Sequence, residues 1–287
     1  MLQETRNSPS LWLEHFPRPL PEYNKYDCGY VVIGGGGIAS TGAARISASC
    51  ALRSGAGLVS IACDKESLPI YASSLQAVMT KIADSTEEFA KLIEDKKVKA
   101  IALGSGAGVT EKTKEFVLVT LANNKPVVID ADAITIFSDN PQLLFSSIKS
   151  SCIMTPHEGE FKRLFGAFID GQENRESRAQ QAARLSGAVV ILKGANTVIA
   201  APDGRIVVNY DAPAYLATAG TGDALAGICA GLLAQGMPAF EAGCAAVWLH
   251  TQTALKFGVG LIAEDIADLL PTVLKKIHSL KNSKLPD

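Results

Sequence analysis

The sequence has no excess of either charge and no long uninterrupted apolar run. Its 287 residues include 27 Lys and Arg against 29 Asp and Glu, which gives a formal net charge of −2. This balance argues against the basic surface by which proteins bind nucleic acid or anionic membranes. No stretch of about 18 residues is apolar without polar breaks, and the N-terminus lacks the basic start and apolar core of a signal peptide. We therefore expect neither a membrane span nor secretion.

Paired cysteines are missing as well. The six cysteines are scattered and form no C-x-x-C pair, and the four histidines are equally dispersed. This distribution is typical of reduced, buried thiols and argues against a disulfide framework or a zinc site. It predicts a cytoplasmic protein, and it assigns no metal ligand.

Strand-like and helix-like segments alternate along the chain. Apolar runs such as "YVVIGG", "LVSIAC" and "VVILKG" are separated by segments with helical spacing. Such runs are typical of parallel strands that are buried on both faces. They predict an α/β fold with a mostly parallel central sheet and helices on both faces, in three layers. No repeat or linker divides residues 26–287, which we interpret as one domain behind a Pro-rich arm at residues 1–25.

Glycine-rich turns follow several of the predicted strands, where ligands of such sheets bind. In "VVIGGGGIA", Gly34, Gly36 and Ala39 fit the G-x-G-x-x-A dinucleotide fingerprint, and Asp64 closes the next strand as a candidate ribose ligand. Asp64 comes later than the usual spacing of about 20 residues. The alternative is a tight strand-to-helix turn in which glycine permits close packing. A P-loop is excluded, because no G-K-[ST] follows any glycine run.

The stretch "ATAGTGDALAGICAGLLA" joins a glycine turn to the start of an apolar helix. Residues 220–222 precede Asp223, so free N–H groups of the helix start would face an anion with a carboxylate within reach. That carboxylate can act as a base toward a substrate hydroxyl, or it can serve only as a helix cap. Further along, Gly227 and Gly231 form a G-x-x-x-G pattern, which predicts close packing against another backbone.

Six ordered blocks between about residues 25 and 272 resemble the ADP- or ATP-dependent NAD(P)H-hydrate dehydratases, which have the ribokinase-like fold. The blocks are "VVIGGGGIASTGAARISASCALRSGAGLVSIA", "ALGSGAGV", "VVIDADAI", "IMTPHEGEFKRLFG", "VVILKGANTVIAAPDG" and "LATAGTGDALAGICAGLLAQGMPAFEAGCAAVWLH". "TPHEGEF" and "KGANT" distinguish this family from the wider kinase superfamily. The resemblance implies a carbon–oxygen lyase that repairs hydrated NADH or NADPH. It would phosphorylate the hydroxyl of the damaged ring with ADP or ATP, and phosphate would then leave.

The resemblance also implies the catalytic residues. Asp223 corresponds to the base that deprotonates the ring hydroxyl, and the N–H groups of Gly220, Thr221 and Gly222 would stabilise the transferring phosphoryl group. Magnesium would bridge the phosphates. Because Asp223 lies at a helix N-terminus, we expect the helix dipole to lower the pKa of its carboxyl group.

Two binding sets follow from the same resemblance. The nucleotide-binding residues would be Lys193, Gly194, Ala195, Asn196, Thr197 and Gly222. The substrate-binding residues would be Ala43, Gly106, His157 and Asp223. His157 could instead only cap the helix that follows it. Asp130 and Asp132 could order magnesium-bound water or merely cap a turn.

The chain departs from the family pattern at three places. Thr41 stands where the family often has Pro, and Ser105 stands in place of the Pro of a G-P-G turn. The loop "NYDAPAY", at 209–215, replaces an Asn/Gly/Pro-rich segment, which leaves the geometry of this loop open. The first 25 residues are too few to encode the epimerase domain that is fused to some family members. Members are often homotetramers, and we expect a homo-oligomer here.

Three other functions remain open at this point. A kinase of the same fold that acts on a vitamin precursor would share Asp223, but "TPHEGEF" and "KGANT" argue against it. An NAD-dependent oxidoreductase would use Gly34, Gly36 and Asp64, and no nucleoside phosphate. A catalytically silent nucleotide-binding protein would have no activity to lose. The sequence decides neither between ADP and ATP nor between hydrated NADH and hydrated NADPH.

Overall fold

A single ten-stranded sheet runs through the protein, in a computed structural model that describes residues 5–169 and 173–283. Its strands are β1 (Thr5–Arg6), β2 (Tyr30–Gly34), β3 (Leu58–Cys63), β4 (Met79–Ile82), β5 (Val98–Leu103), β6 (Val127–Ile129), β7 (Cys152–Met154), β8 (Val189–Leu192), β9 (Thr197–Ala200) and β10 (Ile206–Asn209). They are ordered β1-β10-β9-β8-β7-β6-β5-β2-β3-β4 across the sheet. Among these described strands only β9 is antiparallel to its neighbours, so the predicted, mostly parallel sheet is confirmed.

Helices cover both faces of this sheet. They are α1 (Thr41–Arg53), α2 (Leu68–Ser74), α3 (Thr86–Glu94), α4 (Glu111–Ala122), α5 (Asp132–Thr135), α6 (Pro141–Ser147), α7 (Glu158–Phe165), α8 (Arg175–Ser186), α9 (Thr221–Ala234), α10 (Ala239–Phe257) and α11 (Ala263–Ser283). One core contains residues of α1, α2, α9, α10 and α11, and a second core contains residues of α3 to α8. Alternate residues of β2 enter the two cores, Val31 and Ile33 on one face and Tyr30 and Val32 on the other. The three-layer α/β/α prediction is confirmed.

Residues near the N-terminus are built into this layered body. β1 pairs in parallel with β10, and the N–H group of Asn7 donates to the carbonyl of Val208 at 2.9 Å. Trp12 is fully buried, and its ring lies 5.7 Å from the ring of Trp248 on α10. The part of the Pro-rich segment that the structure describes therefore extends the sheet edge and fills the core beside α10.

Helix α9 packs directly against the backbone of α1. A methyl group added to Gly227 would lie 2.1 Å from the carbonyl oxygen of Ser47, and one added to Gly231 would lie 2.6 Å from that of Ala51. Both distances are too short for any side chain. The predicted role of the G-x-x-x-G pattern in close backbone packing is confirmed.

The chain reverses the direction in which it adds strands between β2 and β5. From β2 it continues outward to β3 and β4, whereas β5 lies on the other side of β2 and leads toward β6, β7 and β8. Such a switch point opens a crevice at the carboxyl ends of the strands, where ligands of open α/β sheets bind. No helix in the described residues is both long enough and apolar enough to span a membrane.

The contact between Gly227 and Ser47 predicts a large effect of one methyl group. We expect Gly227→Ala to lower the free energy of unfolding by about 2 kcal/mol or more, because the added carbon overpacks two backbones that cannot move apart locally. Gly243→Ala in α10 is the matched control, since its new carbon would lie 3.3 Å or more from flexible side chains. Urea denaturation of both variants measures the difference. Equal stabilities would contradict the assigned packing.

Candidate active site

Two glycine turns meet at the switch point of the sheet. A methyl group on Gly36 would lie 2.2 Å from the carbonyl oxygen of Gly106, so the turns after β2 and β5 touch. Gly106 has a φ of +68°, which favours glycine, and a methyl group there would lie 3.3 Å from the Cβ of Ala43. The structure thus brings Ala43 and Gly106 together, as the predicted substrate set requires, with Ser40 beside them.

Helix α9 begins at the same crevice. Gly220 precedes it with a φ of +88°, and a methyl group there would lie 2.7 Å from the Cβ of Ala263, so glycine is required. The hydroxyl of Thr221 donates to the carbonyl of Leu216 at 2.8 Å, which closes the turn into the helix. The first intrahelical bond joins the Ala224 N–H to the Gly220 carbonyl. The N–H groups before it point out of the helix end, as an anion site needs.

Asp223 lies in the first turn of α9 but does not cap it. The cap position belongs to Gly220, so the interpretation of Asp223 as only a helix cap is wrong. The half-buried carboxylate instead accepts a hydrogen bond from the side chain of Ser105, in the turn after β5. Ser105, the residue that stands where the family usually has Pro, thereby connects the second glycine turn to the start of α9.

The electrostatics of Asp223 contradict the sequence-based expectation. Burial raises the pKa of Asp223, the nearby carboxylates of Asp130 and Asp132 raise it further, and Ser105 and Lys193 oppose them. The net pKa lies above the ordinary aspartate value, so the expected lowering was wrong. The physical reason is that the loss of hydration of a buried carboxylate, with two like charges nearby, outweighs the favourable helix dipole.

Lys193 provides the positive charge of the site. Its ammonium Nζ lies 2.9 Å from Oδ1 of Asp130, which also accepts a 2.6 Å hydrogen bond from the hydroxyl of Thr155. Burial alone would lower the pKa of Lys193, but Asp130 and the other surrounding carboxylates raise it above the ordinary lysine value. A methyl group on Gly222 would lie only 3.3 Å from Nζ, so the ammonium group faces the first turn of α9.

The two aspartates that follow β6, Asp130 and Asp132, have different partners. Asp130 pairs with Lys193, whereas Oδ2 of Asp132 accepts a 2.8 Å bond from the N–H group of Gly108. Between them Ala131 has a φ of +47°, a left-handed conformation that costs a non-glycine residue about 1–3 kcal/mol. This conformation begins α5 directly after the strand, with Asp132 as its first residue.

The "KGANT" segment forms the turn between β8 and β9. Arg175 holds the start of this turn, because its guanidinium donates to the carbonyls of Leu192 and Lys193 at 3.1 and 3.0 Å. A cavity of about 480 Å³ lies between this turn and α9. It is lined by Lys193, Gly194, Ala195, Thr197, Ala212, Pro213, Ala214, Leu216, Ala217, Thr221, Gly222, Leu225, Val247, His250 and Thr251. The predicted nucleotide set therefore surrounds one cavity, except for Asn196, which is exposed in the same turn.

His157 lies beside Lys193 but uses its ring to cap a helix. Its Nδ1 accepts the N–H groups of Gly159 and Glu160 at 2.9 and 3.3 Å, and Glu160 in turn accepts the N–H group of His157 at 2.8 Å. The other ring nitrogen, Nε2, lies 3.3 Å from Oε1 of Glu160. The backbone of His157 forms a parallel bridge with Lys193. Capping is thus observed, and a contact of the half-exposed ring with substrate remains a prediction.

The comparisons with known proteins agree with this geometry. Residues 30–276 match the family model of the NAD(P)H-hydrate dehydratases. This chain belongs to that family.

The share of a relative's length that aligns with this chain differs between members of the family. An ADP-dependent (S)-NAD(P)H-hydrate dehydratase of Neisseria meningitidis is 35% identical over 252 residues, which make up 83% of this chain and 82% of that protein. A bifunctional NAD(P)H-hydrate repair enzyme of Salinibacter ruber is 34% identical over 90% of this chain but only 50% of its own length. The chain therefore spans about half the length of the bifunctional relatives that it matches.

Solved structures show the same architecture. The crystal structure of an ADP/ATP-dependent NAD(P)H-hydrate dehydratase from Bacillus subtilis, co-crystallised with ATP and Mg²⁺, aligns with a TM-score of 0.86 at 28% identity, over 96% of this chain and all of that one. A ribokinase-like superfamily protein from Enterococcus faecalis aligns with a TM-score of 0.84 at 26% identity, over 96% of this chain and 97% of that one. The ribokinase-like fold predicted from the sequence is confirmed.

In this dehydratase-family chain the first glycine turn uses two of its N–H groups within the fold. The N–H group of Gly35 donates to the carbonyl of Ala62 at 2.7 Å, and that of Gly36 donates to the hydroxyl of Tyr71 at 2.9 Å. The Asp64 carboxylate accepts the Ser67 N–H at 2.7 Å within its own turn. Although partial burial opposes it, this bonding lowers the pKa of Asp64. Of the groups that an oxidoreductase would turn toward NAD, the N–H group of Gly36 and the carboxylate of Asp64 are thus hydrogen-bonded within the protein. Gly34 and Asp64 nevertheless line a small cavity.

Sequence reasoning missed the far side of the cavity. The apolar residues Leu225 and Val247, and His250 with Thr251 of α10, line it, and no role was predicted for any of them. The loop with Ala212 to Ala214 also lines it. One signal was available, because the "NYDAPAY" loop departs from the family pattern. In the structure this loop is held by an Arg6–Asp211 ion pair of 2.6 Å.

The hydrogen bond from Ser105 predicts the direction of a pKa change. We expect Ser105→Ala to raise the pKa of Asp223 further, because the substitution removes the strongest interaction that favours the ionised carboxylate. The titration of the labelled Asp223 side-chain carbon by NMR measures this shift. Ser73→Ala is the control, since the exposed hydroxyl of Ser73 bonds only a neighbouring carbonyl among the described residues. An unchanged or lowered pKa would show that Ser105 does not hold the carboxylate.

The Lys193–Asp130 pair predicts strong coupling in stability. The side chain of Asp130 is 3% exposed and that of Lys193 is 21% exposed, so Lys193→Met leaves a buried carboxylate without its cation. We expect this variant to lose about 3 kcal/mol of unfolding free energy. Adding Asp130→Asn should restore most of that loss. Denaturant unfolding of both variants decides the matter, and a double variant no more stable than the single one would contradict the pairing.

Proposed function

We propose that this protein dehydrates hydrated NADH or NADPH at the expense of ADP or ATP. The supporting observation is the position of Asp223 at the start of α9, beside Lys193 and between the crevice and the 480 Å³ cavity. Family membership supports the same reaction. A carboxylate base beside a helix N-terminus and a lysine suits the transfer of a phosphoryl group to a hydroxyl.

Asp223 would act as the base toward the hydroxyl of the damaged nicotinamide ring. As the oxygen of this hydroxyl group attacks the terminal phosphorus of the nucleotide, the hydroxyl proton would pass to the carboxylate of Asp223. The raised pKa of Asp223 suits this role, because a carboxylate that is a stronger base draws the proton of the hydroxyl more readily. The carbon–oxygen bond of the new phosphate ester then breaks, and loss of phosphate and one ring proton restores the double bond.

The N–H groups at the start of α9 would stabilise the negative charge of the phosphoryl group during its transfer. The N–H groups of Thr221 and Gly222, with that of Asp223 itself, precede the first intrahelical hydrogen bond. Gly222 lets the phosphate approach both this backbone and the ammonium group of Lys193, which a side chain at that position would obstruct. These donors are fixed before the reaction, so they require little reorganisation as charge develops.

The carboxylates of this site are compatible with a magnesium ion that enters already bound to the nucleotide phosphates. Magnesium in phosphoryl-transfer sites keeps several waters and takes only one or two protein carboxylates. Asp130 and Asp132 lie at the strand end near Asp223, and the described residues contain no cluster of three or more metal-ligating side chains. When bound, the ion would neutralise part of the phosphate charge.

The two ligands would occupy different sides of α9. The nucleotide would lie in the cavity formed by the "KGANT" turn, the 212–217 loop and α10. The hydrated nicotinamide would enter the crevice beside Ala43 and Gly106, where the two glycine turns meet. We also propose that the protein acts in the cytoplasm as a homo-oligomer, in line with its reduced cysteines and the habit of its family.

Restoration of the dihydronicotinamide chromophore tests the proposal. The protein is mixed with hydrated NADPH or hydrated NADH, magnesium, and ADP or ATP, and the absorbance of the reduced ring is followed. Recovery that requires a nucleoside phosphate supports the proposal, and the better nucleotide reports the natural donor. No nucleotide-dependent recovery with any of the four pairs would contradict it. Phosphorylation of a vitamin-precursor alcohol in place of recovery would favour a kinase.

The role of Asp223 predicts a separable loss. We expect Asp223→Asn to slow hydrate repair at least about 100-fold, because the amide cannot accept the proton of the hydroxyl. Nucleotide binding, followed by calorimetry, should change little. Asp139→Asn, at an exposed position, is the matched control and should retain full turnover. Full turnover of Asp223→Asn would show that another group is the base.

A further inference from the structure

One buried polar atom at the cavity has no use in the roles described so far. His250 lies on α10 and is only 9% exposed. Its Nε2 is buried and has no hydrogen-bond partner within residues 5–169 and 173–283. Buried polar side-chain atoms are nearly always paired, and leaving one unpaired destabilises the folded protein. An atom that stays unpaired in the free protein is therefore a candidate for pairing with a ligand.

The position of His250 decides what that ligand is. Its ring lines the 480 Å³ cavity together with Lys193, Thr221 and Gly222, which are the groups assigned to the nucleotide phosphates. Other buried unpaired atoms in the described residues belong to Arg45, Ser47, Ser138, Arg175, Arg178 and Glu241, and none of these residues lines the cavity. Among the described residues that line this cavity, His250 is therefore the one with a buried side-chain atom that has no partner.

The imidazole is uncharged when it meets the ligand. Burial lowers the pKa of His250 to about 4, against a smaller opposing interaction with the backbone of Thr221. A neutral ring adds no cation for the phosphates, which Lys193 and the start of α9 already serve. It suits a directional hydrogen bond with a neutral polar group, such as those of a ribose or a base.

The ring interacts with the backbone of Thr221, and further contacts fix the neighbouring residue of α10. The next residue, Thr251, accepts a 3.1 Å hydrogen bond from the amide of Asn209, and Asn209 accepts one of 3.2 Å from Asn7 in the strand-forming N-terminal segment. Leu225 and Val247 form an apolar wall beside His250. An apolar wall with one fixed polar group is the usual composition of a site for a nucleoside.

We propose that Nε2 of His250 hydrogen-bonds the nucleoside part of the ADP or ATP bound in this cavity. The proposal rests on the proposed function, since it takes the cavity as the nucleotide site. His250 would then select for a nucleoside phosphate over phosphate or pyrophosphate alone. The cost of its unpaired nitrogen in the free protein would be recovered when the nucleotide binds.

The pair His250→Met and His250→Gln tests this on the full-length protein. The two replacements have nearly the same size, but only Gln carries a polar group that can reach the position of Nε2. We expect His250→Met to bind ADP about 10-fold more weakly than the wild type by calorimetry, and His250→Gln to remain within about threefold. Pyrophosphate should bind all three proteins equally. Unchanged affinity of His250→Met for ADP, or an equal loss for pyrophosphate, would overturn the proposal.

Thermal unfolding supplies a readout that a purely structural histidine would not produce. Without ligand, we expect His250→Met to melt at about the same temperature as the wild type, because the removal of an unpaired buried polar atom offsets the loss of the ring's hydrogen bond with the backbone of Thr221. The rise in Tm on adding ADP should nevertheless be smaller in this variant. A lower Tm without ligand, combined with an unchanged rise on adding ADP, would show that the ring only supports the fold.

Two further outcomes separate this inference from the proposed function. If the wild type binds ADP but never repairs a hydrated cofactor, the reaction is wrong while the binding test of His250 still stands. If the wild type repairs the cofactor and His250→Met keeps full affinity for ADP, only the inference fails. Should His250→Met not fold, His250→Asn replaces it, because its shorter amide cannot reach the Nε2 position. Retained ADP affinity in that variant would equally overturn the proposal.

Discussion

The contact between Gly227 and the carbonyl of Ser47 is the constraint on which the site depends. It sets the distance and the register between α9 and α1, two helices that both begin at the carboxyl edge of the sheet. Asp223 lies one turn before Gly227, so the same contact places the carboxylate at the mouth of the crevice. A larger side chain at Gly227 would push the start of α9 away from Ser105 and Lys193. Under the proposed function, the small residues of α9 would therefore position the base as well as stabilise the packing of the two helices.

A shortage of positive charge shapes the chemistry of this site. Asp130, Asp132 and Asp223 lie around one lysine, and Lys193 is already paired with Asp130. Burial and these neighbouring carboxylates together raise the pKa of Asp223, which suits its proposed role as a proton acceptor. The Lys193–Asp130 pair also lies where β6, β8 and α9 converge. Its electrostatic role and its role in holding the fold therefore cannot be separated by a single substitution.

The sequence predicted the strands and helices better than it predicted the contacts between side chains that lie far apart in the chain. The order of strands and helices followed from apolar runs and helical spacing, and Asp223, Gly222 and Lys193 were identified because they stand in glycine turns or family blocks. Strand β4 has no such signal, because this edge strand is largely exposed and lacks an apolar run. The part played by Ser105 also went unrecognised, because its hydrogen bond spans more than 100 positions of the chain.

Two misjudgements have a common physical origin. The sign of the pKa shift of Asp223 depends on burial and on distant carboxylates, neither of which a local helix start reveals. His250 closes the last family block, in the apolar pattern of a helix, and that pattern by itself gives the residue no role. Only the fold shows that its ring borders a cavity. Local sequence identifies chemistry that is concentrated in one motif, and it misses chemistry that the fold assembles from separate elements.

The most direct test of the account is a crystal structure of the Asp223→Asn variant with nucleotide and hydrated cofactor bound together. The account predicts that the terminal phosphate lies against the N–H groups of residues 221–223 and Nζ of Lys193. It also predicts that the ring hydroxyl lies within about 3 Å of the side chain at position 223, as a general base requires. A phosphate bound instead at the Gly34–Gly37 turn, or a ring hydroxyl remote from position 223, would contradict it.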